Sequence, residues 1–193
     1  MSNNKILDAV TVFTDRAHGD QLRKYGSDRY IVHPVRVMKN CARYTTDVCV
    51  LSAALLHDVL EDTAVTQDEL LKFLQNIFDR PMATRTLSLV IELTDIYTRH
   101  NYPRMNRRNR KAQEAKRLSQ CSADAQTIKY ADIHDNAQHI MDEDPDFGPI
   151  FLREAFDLLT QLTRGNATLH AEAIDIVQSG LNFRIKKNLR TKS

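Results

Sequence analysis

Cysteine, glycine and proline are all scarce in this sequence, and each shortage excludes a class of protein. The three cysteines, Cys41, Cys49 and Cys121, are odd in number and form no CxxC pair. They indicate free thiols in a reducing compartment, which excludes a disulfide framework and a zinc knuckle. Five glycines and five prolines among 193 residues leave few turn-forming positions, so we expect long helices.

Long apolar runs and a strong charge of one sign are also lacking. No run approaches the length of about 18 apolar residues that a transmembrane helix needs, so we expect no membrane partner. The N-terminus has no basic region followed by an apolar core, and we therefore expect no signal peptide and a cytoplasmic protein. The net charge of +2 is too small to indicate bulk binding of nucleic acid.

The residues that are present are typical of a globular domain, with 42% hydrophobic and 27% charged positions. Their apolar spacing is helical throughout, without repeats or a convincing strand. The sequence predicts an all-α protein, a single bundle of about eight to ten helices in residues 1–181 with a basic C-terminal tail in residues 182–193.

Three predicted helices matter most for function. The first runs from Asn4 to about Lys24. The second begins at Pro34, and His33 should be extended because it precedes a proline. The central helix runs from Val48 to Leu60 behind an N-cap that includes Asp47.

The central helix carries the strongest chemical signal. An almost wholly apolar run, Val48 to Leu56, ends in His57-Asp58-Val59-Leu60-Glu61-Asp62. A helix that is apolar on nearly every side belongs in a core, and an imidazole with three carboxylates at its end needs charge compensation there. A divalent cation would provide it.

The further ligand candidates are His33, at a predicted helix entry, and Asp132, in a later helix. Together with His57 and Asp58 they offer two imidazoles and two carboxylates, a set that suits a transition ion better than calcium. Mn²⁺ fits, and Fe²⁺, Co²⁺ and Zn²⁺ stay open. Glu61 and Asp62 would orient or deprotonate a water molecule that such an ion activates.

These residues lie within a longer pattern that resembles the HD superfamily of metal-dependent phosphohydrolases, specifically the RelA/SpoT-type alarmone hydrolase domain in its stand-alone form. The matching pieces occur in the family's order and at about its spacings. They are His18-x-x-Gln21-x-Arg23-Lys24-x-Gly26, Tyr30-Ile31-x-His33-Pro34, Ala53-Ala54-Leu55-Leu56-His57-Asp58-x-x-Glu61-Asp62-Thr63, Leu93-Thr94-Asp95 and Ile128-Lys129-x-Ala131-Asp132-x-x-x-Asn136.

The resemblance implies an all-helical fold and Mn²⁺-dependent removal of the 3′-pyrophosphate from guanosine 3′,5′-bispyrophosphate and its pentaphosphate relative. It implies that His33, His57, Asp58 and Asp132 hold the metal and that Glu61 and Asp62 serve the attacking water. It also implies a set of substrate contacts: Arg23 on the guanine, Lys24 close by, Asn136 at the sugar or phosphate region, and Arg104 and Arg153 as basic contacts.

The chain departs from the family's pattern in two places. Arg29 stands where a proline is usual, in a turn that is longer by a residue. The usual Asp-Arg-Leu-His-Asn becomes Asp132-Ile133-His134-Asp135-Asn136, which keeps the metal aspartate and the asparagine but changes their neighbours. These changes bear on the identity of the substrate.

Three alternatives stay open beside alarmone hydrolysis. The first is an HD hydrolase of another phosphorylated nucleotide, such as NADPH at its 2′-phosphate. The second is a nucleotide sensor without catalysis, although all of the expected ligands and acids are present. The weakest is a nucleic-acid-binding module, supported by the basic residues 99–117 and opposed by the acidic residues 142–146.

Overall fold

A computed structural model describes residues 1–23 and 28–190, with side chains described through residue 182. In these residues the chain forms nine helices of nine residues or more and one single helical turn, so the predicted all-α fold is confirmed. The elements are α1 Asn3–His18, α2 Val32–Ala42, α3 Val48–Leu56, α4 Val59–Asp62, α5 Gln67–Ile77, α6 Arg80–Leu93, α7 Arg107–Leu118, α8 Ala123–Glu143, α9 Gly148–Leu159 and α10 Ala167–Arg190.

The helix starts follow the capping rules. The Asp47 carboxylate accepts a hydrogen bond from the Cys49 N–H at the start of α3, as predicted. Thr66 and Glu69 form a reciprocal capping box at α5. At the starts of α6 and α8, side-chain oxygens of Asp79 and Ser122 each accept one backbone N–H, from Met82 and Ala125. Such caps satisfy backbone donors that the first helical turn leaves without an intrahelical partner.

Helix α3 lies at the centre of the bundle. Every one of its residues is buried, and it packs against α1, α2, α6 and α8. A helix that is apolar on all sides is stable only when other helices cover all of it, and this sequence provides those neighbours. The polar residues that follow Leu56 are therefore held beside the core of the protein.

Helix α8 is the second organising element, since it packs against α10, α2, α9, α6 and α3. Its contact with α2 brings the first turn of one helix against the middle of the other. His33 on α2 and Asp132 on α8 consequently meet, although 99 positions separate them in the chain.

The predicted first helix is too long. Helix α1 ends at His18, and Gly19 has a φ of 56°, a left-handed conformation that glycine adopts readily at a helix C-terminus. The Gly19 N–H donates to the Asp15 carbonyl. After it, Leu22 and Arg29 form an isolated antiparallel bridge. Residues 21–23 therefore leave the helix and turn toward the site.

The predicted start of α2 and end of α3 are also wrong. His33 is helical, because Pro34 lies in the first turn of α2, where a missing N–H removes no intrahelical bond. The helix predicted from Val48 to Leu60 ends at Leu56 and resumes as the single turn α4 after His57 and Asp58. This interruption changes the direction in which the acidic residues project.

Helix α10 continues to Arg190, well past its predicted end at Leu181, so most of the predicted basic tail is helical. Across the described part of the chain, each helix is too short or too polar to cross a membrane.

Candidate metal centre and adjoining cavities

His57 lies at the C-terminus of α3 with its imidazole almost fully buried. Nδ1 lies 2.8 Å from the Ala54 carbonyl oxygen. Because a carbonyl can only accept, Nδ1 carries the hydrogen in the neutral ring and the lone pair is left on Nε2. That Nε2 lies 2.9 Å from a carboxylate oxygen of Asp58, yet among the described residues it has no hydrogen-bond partner of acceptable geometry.

His33 approaches the same point from α2. Its Nδ1 lies 2.7 Å from the Asp135 carboxylate, so Nδ1 donates and Nε2 faces the other carboxylates. Nε2 lies 3.2 Å from Asp132 Oδ1 and 3.7 Å from Asp58 Oδ2. Two histidines are therefore oriented by hydrogen bonds on their far sides, which is the usual arrangement around a protein-bound metal.

The four predicted ligands converge. His33, His57 and Asp58 each offer one ligand atom, and these atoms all lie within 4.8 Å of one another. Asp132 Oδ1 lies 3.8 Å from the His57 Nε2 atom. The buried Nε2 of His57 has no hydrogen-bond partner among the described residues, and it faces the carboxylates of Asp58 and Asp132. Together with His33 these groups form a donor set that fits a divalent cation.

The electrostatics of the group agree with this fit. Burial alone would lower the pKa of His57, but the Asp58 carboxylate outweighs burial and raises that pKa to about 9. For Asp58, the effect of His57 outweighs burial and depresses the pKa. A metal ion at this point would compete with the imidazole proton, so its affinity should depend on pH.

Asp132 is held from both sides on α8. Lys129 Nζ lies 2.9 Å from Oδ2, and the Asn136 side-chain amide donates to Oδ1 at 2.7 Å. Arg23 in turn donates to the side-chain oxygen Oδ1 of Asn136 at 2.9 Å. Two predicted substrate residues, Arg23 and Asn136, therefore lie together beside the metal ligands. Lys24 lies outside the described residues.

The two predicted catalytic acids differ in their surroundings. Glu61 accepts the Asp95 N–H at 3.1 Å, and desolvation together with the Asp95 charge raises the pKa of Glu61 to about 7. Asp62 lies 3.1 Å from the hydroxyl of Tyr30, and desolvation raises the pKa of Asp62. A carboxylate with a raised pKa is a better proton acceptor at neutral pH than an ordinary one.

Sequence reasoning did not assign a role to Tyr30. Its hydroxyl lies 2.6 Å from Asp58 Oδ2 and within reach of Asp62, so it joins a metal-ligand candidate to a candidate acid. The ring stacks on His18 with centroids 4.3 Å apart. Its place in the second matching motif, three residues before His33, was the signal that could have identified it.

One cavity reaches the four-residue centre at Asp132, and a second cavity reaches the neighbouring acid Glu61. The first, of about 660 Å³, lies between α7, α8 and α9 and reaches Lys129 and Asp132. The second, of about 560 Å³, reaches Glu61. Both are bordered by Asp95, Arg107 and Lys111, and further cations around them are Arg99, Arg108 and Arg110. The wall formed by α7 and the segment before it is therefore basic, whereas Glu114, Asp132, Glu154 and Asp157 also border the first cavity, so the lining as a whole carries both signs of charge.

Two predicted phosphate contacts do not lie in this wall. Arg104 and Arg153 are exposed, and neither is among the described residues that line the two cavities. Arg107 and Lys111, which are four residues apart and share a face of α7, lie there instead. The basic run in the sequence contains these lining residues, but the run alone does not show which of its side chains line the cavities.

The fold and the site together define a helical protein in which a His/Asp group fits a divalent cation. The chain belongs to the HD domain family, whose model matches residues 10–165. It is 30% identical over 165 residues to the human guanosine-3′,5′-bis(diphosphate) 3′-pyrophosphohydrolase MESH1, a match that covers 83% of this chain and 84% of the human protein.

Longer bacterial relatives match over a shorter region. A Borreliella burgdorferi guanosine-3′,5′-bis(diphosphate) 3′-pyrophosphohydrolase is 38% identical over 90 residues, which are 47% of this chain but only 12% of that protein. Among solved structures, one described as a metazoan ortholog of SpoT that hydrolyses ppGpp superimposes with a TM-score of 0.76 at 25% identity. The superposition covers 91% of this chain and 96% of the other.

Proposed function

We propose that the protein is a metal-dependent hydrolase that removes the 3′-pyrophosphate from guanosine 3′,5′-bispyrophosphate and its pentaphosphate relative. The observation that carries the proposal is the convergence of two histidines and two aspartates, of which Asp132 borders a cavity that also has Arg107, Arg108 and Lys111 in its lining. The names of the relatives supply the substrate, since the human and Borreliella proteins are both called 3′-pyrophosphohydrolases of this nucleotide.

We propose that His33, His57, Asp58 and Asp132 hold the ion and that the ion is Mn²⁺. When bound, such an ion lowers the pKa of a water ligand and polarises a phosphoryl oxygen. Mixed imidazole and carboxylate ligands are compatible with Mn²⁺, and a metal titration with competing Fe²⁺, Co²⁺ and Zn²⁺ tests the choice.

The two acids have the proton-handling role in this proposal. Glu61 and Asp62 orient the attacking water and accept its proton, a role that their raised pKa values favour. Tyr30 keeps Asp62 next to Asp58 through its hydroxyl, so the acid stays close to the reacting phosphorus.

The remaining predicted residues bind the nucleotide. Arg23 stacks on guanine with Lys24 nearby, and Asn136 contacts the sugar or phosphate region. The cations of α7 and of the segment before it attract the phosphates, because positive side chains raise the local concentration of an anionic ligand. Arg104 and Arg153, which are exposed and line neither cavity, stay proposed contacts, and we expect them to contribute less than the cavity-lining Arg107 and Lys111.

We further propose that residues 1–181 are the hydrolase unit, with 182–193 as an appended basic segment, and that the protein acts in the cytoplasm. The matched family region, residues 10–165, lies within the proposed unit. All three cysteines are buried and free, as expected of a reducing compartment.

The testing experiment is product chromatography after incubation of the protein with guanosine 3′,5′-bispyrophosphate and Mn²⁺, with an EDTA control. We expect GDP and pyrophosphate, and we expect EDTA to abolish both. Bound Mn²⁺ without either product would contradict the proposed substrate and would make other phosphorylated nucleotides, with NADPH first, the next substrates to assay.

A further inference from the structure

One of the two centre histidines is held by a charge and the other is not. His57 donates its Nδ1 hydrogen to the Ala54 carbonyl, a neutral acceptor in its own helix. His33 donates its Nδ1 hydrogen to Asp135, a carboxylate on a different helix, at 2.7 Å. Asp135 lies three residues after Asp132, so one face of α8 contacts both nitrogens of the His33 ring.

Asp135 is unusual among the acids near the centre because it is 1% exposed and is not among the described residues that line the two cavities. Arg36 encloses it from α2: Nε lies 2.6 Å from Oδ1 and a terminal nitrogen lies 3.1 Å from Oδ2. Both oxygens of Asp135 therefore accept hydrogen bonds, from the Arg36 guanidinium and from the His33 imidazole, which are the partners that a carboxylate requires.

The arrangement interlocks two helices by matched spacing. His33 and Arg36 are three residues apart on α2, and Asp132 and Asp135 are three residues apart on α8, so each pair lies on one helix face. The imidazole cannot rotate without breaking its bond to Asp135, and Asp135 cannot move without breaking its bonds to Arg36. This position is also one at which the chain departs from the resembled family pattern, which has histidine there.

We propose that Asp135, held by Arg36, is a positioning residue that sets the metal affinity of the centre through His33. The carboxylate fixes the tautomer that exposes the Nε2 lone pair, and its negative charge makes that nitrogen a stronger electron-pair donor to a metal ion. The inference rests on the proposed metal centre but not on the nucleotide, because Asp135 contacts Nδ1 of His33 while Nε2 faces the other carboxylates, and Asp135 lines neither cavity.

The test is calorimetric titration of the metal-free protein with Mn²⁺ for wild type, Asp135→Asn, Asp135→Ala and Arg36→Met. We expect Asp135→Ala to weaken Mn²⁺ binding by about 10- to 100-fold, the usual effect of losing such an outer partner. Asp135→Asn keeps an acceptor oxygen and should lose less Mn²⁺ affinity than Asp135→Ala. Arg36→Met should lose the least Mn²⁺ affinity of the three variants. Saturating Mn²⁺ should restore turnover in each variant.

Asp124→Asn is the matched control, since it makes the same change on the same helix at an exposed acid paired with Arg85. It should bind Mn²⁺ as wild type does. Wild-type Mn²⁺ affinity in both Asp135 variants would overturn the proposal, even if their melting temperatures fell, because a purely structural role moves stability alone. If Asp135→Ala does not fold, Asp135→Asn decides by the same criterion.

The two proposals fail separately. A wild-type protein that binds Mn²⁺ but leaves guanosine 3′,5′-bispyrophosphate intact contradicts the proposed substrate, and the order of Mn²⁺ affinities still decides the role of Asp135. A wild-type protein that binds no Mn²⁺ overturns this proposal together with the proposed metal centre.

Discussion

The four-residue centre and the basic cavity wall lie side by side, yet they are built in opposite ways. The centre is assembled from side chains on core helices and is buried, with each histidine held by a hydrogen bond from its far side. The wall consists of long cationic side chains on α7 and the segment before it, most of them exposed. Rigid placement suits a metal ion, whereas exposed cations suit the attraction of an anionic ligand.

The difference implies a ranking of what each region contributes. Removing a group from the centre leaves buried charges without compensation, which is costly. Removing one cation from the wall leaves several others and open solvent, which screens the loss. Mutations in the centre should therefore abolish function, and mutations in the wall should only weaken substrate binding.

The largest expected effect comes from the centre. Replacing Asp132 with Asn, or Asp58 with Asn, should lower turnover by more than about 100-fold and deplete bound metal, because a direct ligand matters more than an outer partner. Elemental analysis of the purified protein and chromatography of products measure both. Full turnover by a metal-free variant would contradict the proposal that turnover depends on a metal bound at the four-residue centre.

The second-largest effect is expected from the two proposed catalytic acids, Glu61 and Asp62. Glu61→Gln or Asp62→Asn should reduce kcat by roughly 10²- to 10⁴-fold, the range for loss of a general base, while metal content stays at the wild-type level. Asp68→Asn, an exposed acid on α5, is the control. If metal content falls with kcat, the acid acts as a ligand and not as a base.

A wall substitution should have a moderate effect. Lys111→Ala should raise KM by about tenfold with little change in kcat, since a contact to a charged group contributes about 1.5–3 kcal/mol and neighbouring cations remain. Lys116→Ala removes an exposed lysine of the same helix that lies outside both cavities and should leave KM unchanged. Arg104→Ala, assayed in parallel, should raise KM by less than Lys111→Ala does, because Arg104 lines neither cavity, and an unchanged KM would contradict its proposed contact to the substrate.

The smallest effect should come from surface charge remote from both regions. Arg85 bridges Asp47 and Asp124 on the surface at 2.7 and 2.8 Å, and Arg85→Ala should reduce the free energy of unfolding by about 0.2–1 kcal/mol. Burial acts to raise the pKa of Asp47, but hydrogen bonds from Arg85 and the Cys49 N–H lower it overall. A depressed carboxylate pKa stabilises the fold above the unfolded pKa of about 4, and this contribution disappears as the pH falls through the folded pKa.

Chemical denaturation at neutral pH and near pH 3 checks this prediction. The difference in unfolding free energy between wild type and Arg85→Ala should be larger at neutral pH. An equal difference at both pH values would show that Arg85 stabilises the protein by packing and not by its charge.

The all-α fold and the Asp47 cap followed directly from the sequence, because helical spacing and capping depend on residues close in the chain. Helix ends were less accurate where a local signal had competing meanings. Pro34 is compatible with a helix start and with a position inside the first turn, and only packing of α2 on α8 distinguishes them. The break after Leu56 likewise has no glycine or proline to mark it.

By itself the sequence determined the helical class and the small set of side chains able to bind a metal, since composition and motif spacing carry that information. Only the tertiary structure decided that Tyr30 joins Asp58 to Asp62, that Asp135 and Arg36 hold His33, and that Lys111 lines the cavities while Arg104 does not. These contacts join residues from different helices, and their geometry depends on how the helices cross. No local pattern in the chain encodes that crossing, because it is set by packing of the whole core.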